Sequence, residues 1–148
     1  MKISVLGAGG WGTTLGILLH YNGHQVTLWE YKKNYVKELI KKRINSLYLP
    51  GVSIPQEILI THDLKESVYQ KNLIVLAVPS QFLRSVIDEV SYSDIKNSLL
   101  VSVAKGIENK HLMTMSQMLK DVHPNLSDEQ IGVLSGPSHA EEVSKRIP

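Results

Sequence analysis

A short apolar strand signal, Lys2-Ile3-Ser4-Val5-Leu6, runs straight into Gly7-Ala8-Gly9-Gly10-Trp11-Gly12. Helical spacing follows at once, with Leu15, Leu18 and Leu19 on one side. Four glycines in six residues leave the chain little choice at this point. A strand must turn sharply into a helix whose first turn carries almost no side-chain bulk. Gly7 permits the tight turn, Gly9 lets another group approach the backbone, and Gly12 lets the helix sit close to the sheet. Such a strand–turn–helix unit is the natural opening of an alternating α/β sheet.

The rest of the chain keeps the alternation. Further strands are expected over 25–30, 58–61, 73–78, 99–103 and 131–134. Helices are expected over 11–21, 34–43, 63–69, 82–90, 110–122 and 138–146, with Asp63 capping the third and Leu112, Met115, Met118 and Leu119 on the fifth. The run Leu73-Ile74-Val75-Leu76-Ala77-Val78 has no polar alternation, which suits a strand buried on both faces. Repeated β-α units of this kind predict an α/β fold: a Rossmann-type, doubly wound, mostly parallel sheet with helices on both faces.

Composition narrows the function. The chain has 148 residues, the size of one domain, and no cysteine, so disulfides, thiolate metal sites and a cysteine nucleophile are excluded. The absence of cysteine suits a cytoplasmic setting. A net charge of +2 does not argue for nucleic acid. The basic run Lys32, Lys33, Lys37, Lys41, Lys42 and Arg43 has no interleaved aromatic face and reads as a solvated surface. No apolar run approaches the roughly 20 residues of a membrane-spanning helix. His20 and His24 are four apart, but Asn22-Gly23 interrupts the helix between them, so no metal site is expected.

The glycine loop also points to a ligand. Free N–H groups at the start of a helix, aided by its dipole, attract phosphate, and Gly9 removes the Cβ that would bar a pyrophosphate. Eighteen positions after Gly12, Glu30 ends the second strand. A carboxylate there accepts both hydroxyls of an adenosine ribose and repels a 2′-phosphate, which favours NAD over NADP. Lys32 and Lys33 follow directly and read first as a solvated helix start, with a grip on that same phosphate as the alternative. Lys105 lies just past the fifth strand, on the edge where doubly wound sheets bind ligands, and reads either as a cleft residue or as a loop lysine. Ser138, three residues before Glu141, reads as a capping box.

Five stretches together resemble one family. Gly9-Gly10-Trp11-Gly12-Thr13, Asn45-Ser46-Leu47-Tyr48-Leu49-Pro50-Gly51, Ala77-Val78-Pro79-Ser80 with Arg84, Ala104-Lys105-Gly106-Ile107-Glu108, and Gly136-Pro137-Ser138-His139-Ala140-Glu141-Glu142-Val143 are similar, in order, to the bacterial NAD(P)-dependent glycerol-3-phosphate dehydrogenases. The resemblance implies hydride transfer between dihydroxyacetone phosphate and sn-glycerol 3-phosphate, a phospholipid precursor, with NAD or NADP as cofactor. It implies cofactor contacts at Gly7, Gly9, Gly10, Trp11, Gly12, Glu30, Tyr31, Lys32, Tyr48, Pro79, Lys105 and Ala140. Substrate contacts are implied at Lys105, Gly136 and Ser138. Tyr48 is open to a second reading, as part of a structural clamp.

The resemblance further implies that residues 1–148 form an N-terminal NAD(P)-binding domain. The catalytic lysine would lie in a C-terminal helical domain outside this chain, so no catalytic residue is expected here, and the parent enzyme would be a homodimer. Two rivals remain. One is another two-domain dehydrogenase, such as a ketopantoate reductase or a phosphogluconate dehydrogenase. The other is a stand-alone dinucleotide-sensing module.

Overall fold

The computed structural model describes residues 1–136 and 139–145. Six strands form one parallel sheet: β1 (Lys2–Leu6), β2 (Gln25–Trp29), β5 (Leu59–Thr61), β6 (Leu73–Leu76), β7 (Leu99–Ser102) and β8 (Ile131–Val133). Their spatial order is β5-β2-β1-β6-β7-β8, and every neighbouring pair is parallel. The chain therefore winds outward from β1 in one direction, then returns and winds outward in the other. This is the doubly wound order, and its reversal between β1 and β6 opens a crevice at the carboxyl ends of those strands.

Alternation along the strands feeds two cores. Ile3 and Val5 of β1, and Val26 and Leu28 of β2, join one cluster with Leu15 and Ile17 of α1 (Gly10–Tyr21) and Val36 and Leu39 of α2 (Lys33–Lys42). Leu6, Trp29, Ile74 and Leu76 face the other side. There they meet Leu83 and Ile87 of α4 (Ser80–Asp88) and Met118 and Leu119 of α6 (Met115–Val122). Val68 of α3 (Leu64–Val68) and Ile95 of α5 (Tyr92–Ile95) complete that second layer. Both faces of the sheet are thus covered, as an all-parallel sheet requires.

Besides the short helix α5, where none was expected, the structure departs from the sequence reading chiefly in three places. Residues 44–53 form an antiparallel hairpin, β3 (Ile44–Asn45) and β4 (Leu49–Ser53), where no strand was expected. Its two residues of β3 carry no periodicity to read. The helix expected over 110–122 begins only at Met115, where Thr114 and Gln117 form a capping box. Leu112, expected on its apolar face, is 75% exposed with φ +55°, so the preceding residues form a turn. The last helix, α7, runs Ala140–Ser144 with His139 at its N-cap position. The expected Ser138 cap lies outside the described residues.

Asp63 does cap α3, its carboxylate accepting the Glu66 N–H at 2.9 Å. No helix among the described residues is long and apolar enough to cross a membrane.

Candidate nucleotide-binding site

The glycine loop occupies the crevice. Gly7 has φ +110°, and a Cβ there would lie 2.8 Å from the backbone of Ala77. Two constraints, a left-handed turn and the close approach of the chain leaving β6, select glycine. A Cβ on Gly12 would come 2.0 Å from the Gly7 carbonyl oxygen, so the helix packs on the loop itself. α1 has no side-chain cap and no acidic residue in its first turn. The first helical N–H to bond back is that of Thr13, to Gly9 O at 2.9 Å. The N–H groups of Gly10, Trp11 and Gly12 precede it and have no partner within the helix. A Cβ at Gly9 would meet nothing within 4 Å. Free donors, positive dipole and open space fit a pyrophosphate. Trp11 is half-buried and packs on the first core cluster.

Asn45, a motif residue with no role expected from the sequence, holds this loop in place. It is fully buried, and its Nδ2 donates to Ala8 O at 2.8 Å and Thr13 Oγ1 at 2.7 Å. Its Oδ1 accepts from Tyr35 Oη–H at 2.6 Å and from the Tyr48 N–H at 3.1 Å. One amide thus ties the hairpin, α2 and the glycine loop together. Tyr48 itself is 47% exposed, and its carbonyl lies 2.5 Å from where a Cβ on Gly10 would stand. Leu49 is fully buried in the first core. The clamp reading of this segment belongs to Asn45 and Leu49, and it sets Tyr48 beside the start of α1.

Glu30 follows β2 on the same edge, and its Oε1 accepts the Lys32 N–H at 3.0 Å. Among the described residues nothing bonds Oε2. Tyr31 and Lys32 are exposed, with the Lys32 ammonium 5.8 Å from the centroid of the Tyr31 ring. Lys33 is exposed at the first position of α2.

On the other side of β1, Pro79 ends the β6 segment and stands at the N-cap position of α4. Lys105, beyond β7, is exposed and has no side-chain partner among the described residues. Arg84 of α4 is engaged within the fold. Its Nε and Nη2 bind the two oxygens of Glu108 at 2.5 and 3.1 Å, and its Nη1 binds Asp121 Oδ2 at 2.7 Å. His111 Nδ1 lies 2.9 Å from Glu108 Oε2. The bond from Arg84, above all, holds the Glu108 carboxyl below the ordinary carboxylate range, and the two carboxylates push the guanidinium pKa up. Two of the motifs singled out in the sequence are therefore halves of one ion pair.

Beyond β8, Gly136 is exposed, and Pro137 and Ser138 lie outside the described residues. Ala140 returns to the glycine loop. Its carbonyl accepts Thr14 Oγ1–H at 3.2 Å, and its Cβ would be 3.7 Å from a Cβ on Gly10.

A doubly wound parallel sheet with an uncapped glycine loop at its crevice and a carboxylate at the end of the adjacent strand defines a dinucleotide-binding domain. Residues 2–148 match the family described as NAD-dependent glycerol-3-phosphate dehydrogenase N-terminus, and the chain belongs to that family. All of the chain aligns with a glycerol-3-phosphate dehydrogenase (NAD(P)+) of Thermoanaerobacter sp. strain X514 at 49% identity, covering 43% of that protein. The corresponding protein of Fusobacterium nucleatum subsp. nucleatum is 46% identical over the whole chain, which covers 44% of it. In structure, 99% of the chain superposes on 44% of glycerol-3-phosphate dehydrogenase from Coxiella burnetii, with TM-score 0.87 and 30% identity. The chain spans less than half the length of these relatives.

Proposed function

We propose that this chain binds NAD(H) or NADP(H) along the carboxyl edge of its sheet. We further propose that it serves as the cofactor half of an enzyme interconverting dihydroxyacetone phosphate and sn-glycerol 3-phosphate. The observation that carries this is the order of the candidate residues along that edge. Passing from β2 through β1 and β6 to β7, they are Glu30, the glycine loop, Pro79 and Lys105. That is the order of ribose, pyrophosphate, nicotinamide and substrate. Three strand spacings of about 4.8 Å set the ends of this row about 14 Å apart.

The bound cofactor supplies or accepts a hydride at its nicotinamide ring. The residues of this chain bind and orient. Gly10, Trp11 and Gly12 present N–H groups to the pyrophosphate, with Ala140 beside them. Glu30 offers Oε2 to the ribose hydroxyls with Tyr31 next to it in the chain, and Tyr48 stands beside the start of α1. Lys105 places a cation where negative charge gathers, on the substrate phosphate or on the carbonyl oxygen during reduction. Gly136 and Ser138 are proposed to complete the substrate side. The proton-transferring lysine lies outside this chain, in a helical domain through which the enzyme forms a homodimer in the cytoplasm.

NAD is proposed as the better cofactor. Lys32 is turned onto Tyr31 and forms no ion pair with Glu30 among the described residues. Parallel titrations with NADH and NADPH, read by quenching of tryptophan fluorescence at Trp11, test this. Tighter NADH binding is expected. Equal or tighter NADPH binding would assign the preference to Lys32 or Lys33, and no binding of either would refute the site. The 148-residue chain should bind NADH without oxidising it when dihydroxyacetone phosphate is added, and ordinary turnover would overturn the proposed division of labour.

A further inference from the structure

Twelve residues connect β7 to α6, and Lys105 stands third among them. An exposed lysine on a loop of that length would ordinarily sample a wide volume. This loop is tethered. Gly106 has φ +89°, and a Cβ there would lie 3.7 Å from Ser80 Oγ. Gln81 Nε2 donates to Ile107 O at 2.7 Å, and Gln81 Oε1 accepts the Asn109 N–H at 3.0 Å. Arg84 grips Glu108 through two bonds. The Glu108 N–H then closes the loop on Met113 O at 2.8 Å. The first turns of α4 thus read the loop residue by residue: Ser80 meets Gly106, Gln81 meets both sides of Glu108, and Arg84 meets Glu108 itself.

We infer that Gln81 and Arg84 are positioning residues that fix Lys105 at the cofactor edge. The inference rests on the reading of Lys105 as a site residue. Gln81 works without charge, by satisfying one carbonyl and one N–H of the loop backbone. Arg84 works with its charge neutralised by Glu108 and Asp121, so it adds no attraction for an anionic ligand. Among the described residues Lys105 is then a cation left unpaired at this edge, set by an anchor that does not compete with it.

Gln81 is exposed, so Gln81→Ala should fold. Arg84→Ala would strand the buried Glu108 and serves only as a second variant. Two readouts separate positioning from bulk stability. Hydrogen exchange at the amides of Gly106 to Asn109 should accelerate about fivefold or more in Gln81→Ala. NADH affinity by tryptophan fluorescence should stay within about twofold, because the glycine loop is untouched. Acetylation of lysines by a small acyl ester, read by mass spectrometry, should show Lys105 protected by NADH in the wild type. Lys41 and Lys42 should not be protected. In Gln81→Ala the protection should fall about threefold or more. Unchanged exchange and unchanged protection would overturn the inference. If NADH binds but Lys105 is unprotected in the wild type, the inference fails through its premise, and faster exchange in Gln81→Ala would show that the clamp itself stands.

Discussion

Glu108 carries a carboxylate into a buried position because hydrogen-bonding partners, the Arg84 guanidinium above all, meet it there. Arg84 approaches from α4, His111 from its own loop, and Asp121 holds the far side of Arg84. The Glu108 pKa is depressed in the folded chain, chiefly by the Arg84 bond. Such a group contributes stability above its unfolded pKa, about 4.3 for glutamate, and loses it as the pH falls through the lower folded value. Glu108→Gln lacks that contribution. Urea midpoints of the two proteins should differ at about pH 7, and the gap should narrow as the pH falls below about 4. A gap that stays constant into acid would contradict the ion-pair account.

Among residues, the glycines, Glu30 and Lys105 were legible in the sequence because each stands just past a readable strand. Arg84 and Glu108 were visible as motif members, but their pairing across 24 positions was not. Gln81 left no signal at all, since its partners on the loop are backbone atoms.

At the scale of elements, the hairpin is the part that sequence periodicity concealed. β3 has two residues, and β4 contains Pro50 and Gly51, which usually mark a loop. What makes the segment structural is Asn45 beneath it, bonding Ala8 and Thr13 across the start of α1. Asn45→Ala would leave buried polar groups unpaired, at a cost of about 2–3 kcal/mol. It should also weaken NADH binding, since the glycine loop loses its support. Leu119→Ala, in the second core, should cost about 2–5 kcal/mol and leave NADH affinity nearly unchanged. Equal affinities in the two variants would show that the hairpin does not shape the loop. The helices and inner strands were legible because burial on one face repeats at 3.6 residues and full burial gives unbroken apolar runs. The late start of α6 was missed because Leu112 continues the apolar spacing, while its backbone turns left-handed.

For the whole molecule, the doubly wound order follows from the alternation of elements, and it does more than cover both sheet faces. It brings residues more than seventy positions apart in sequence, such as Glu30 and Lys105, onto one edge in the order that the proposed site requires. The opposite edge has a groove of its own, lined by Lys2, His20, His24 and Lys71 among others, and that groove is the natural competitor for an anionic ligand. Amide chemical-shift mapping of the chain with NADH decides between them. Shifts are expected at Gly7 to Gly12, at Glu30 to Lys32 and at Lys105 and Gly106, all on the carboxyl edge. Shifts confined to Lys2, His20, His24 and Lys71 would contradict the proposed site.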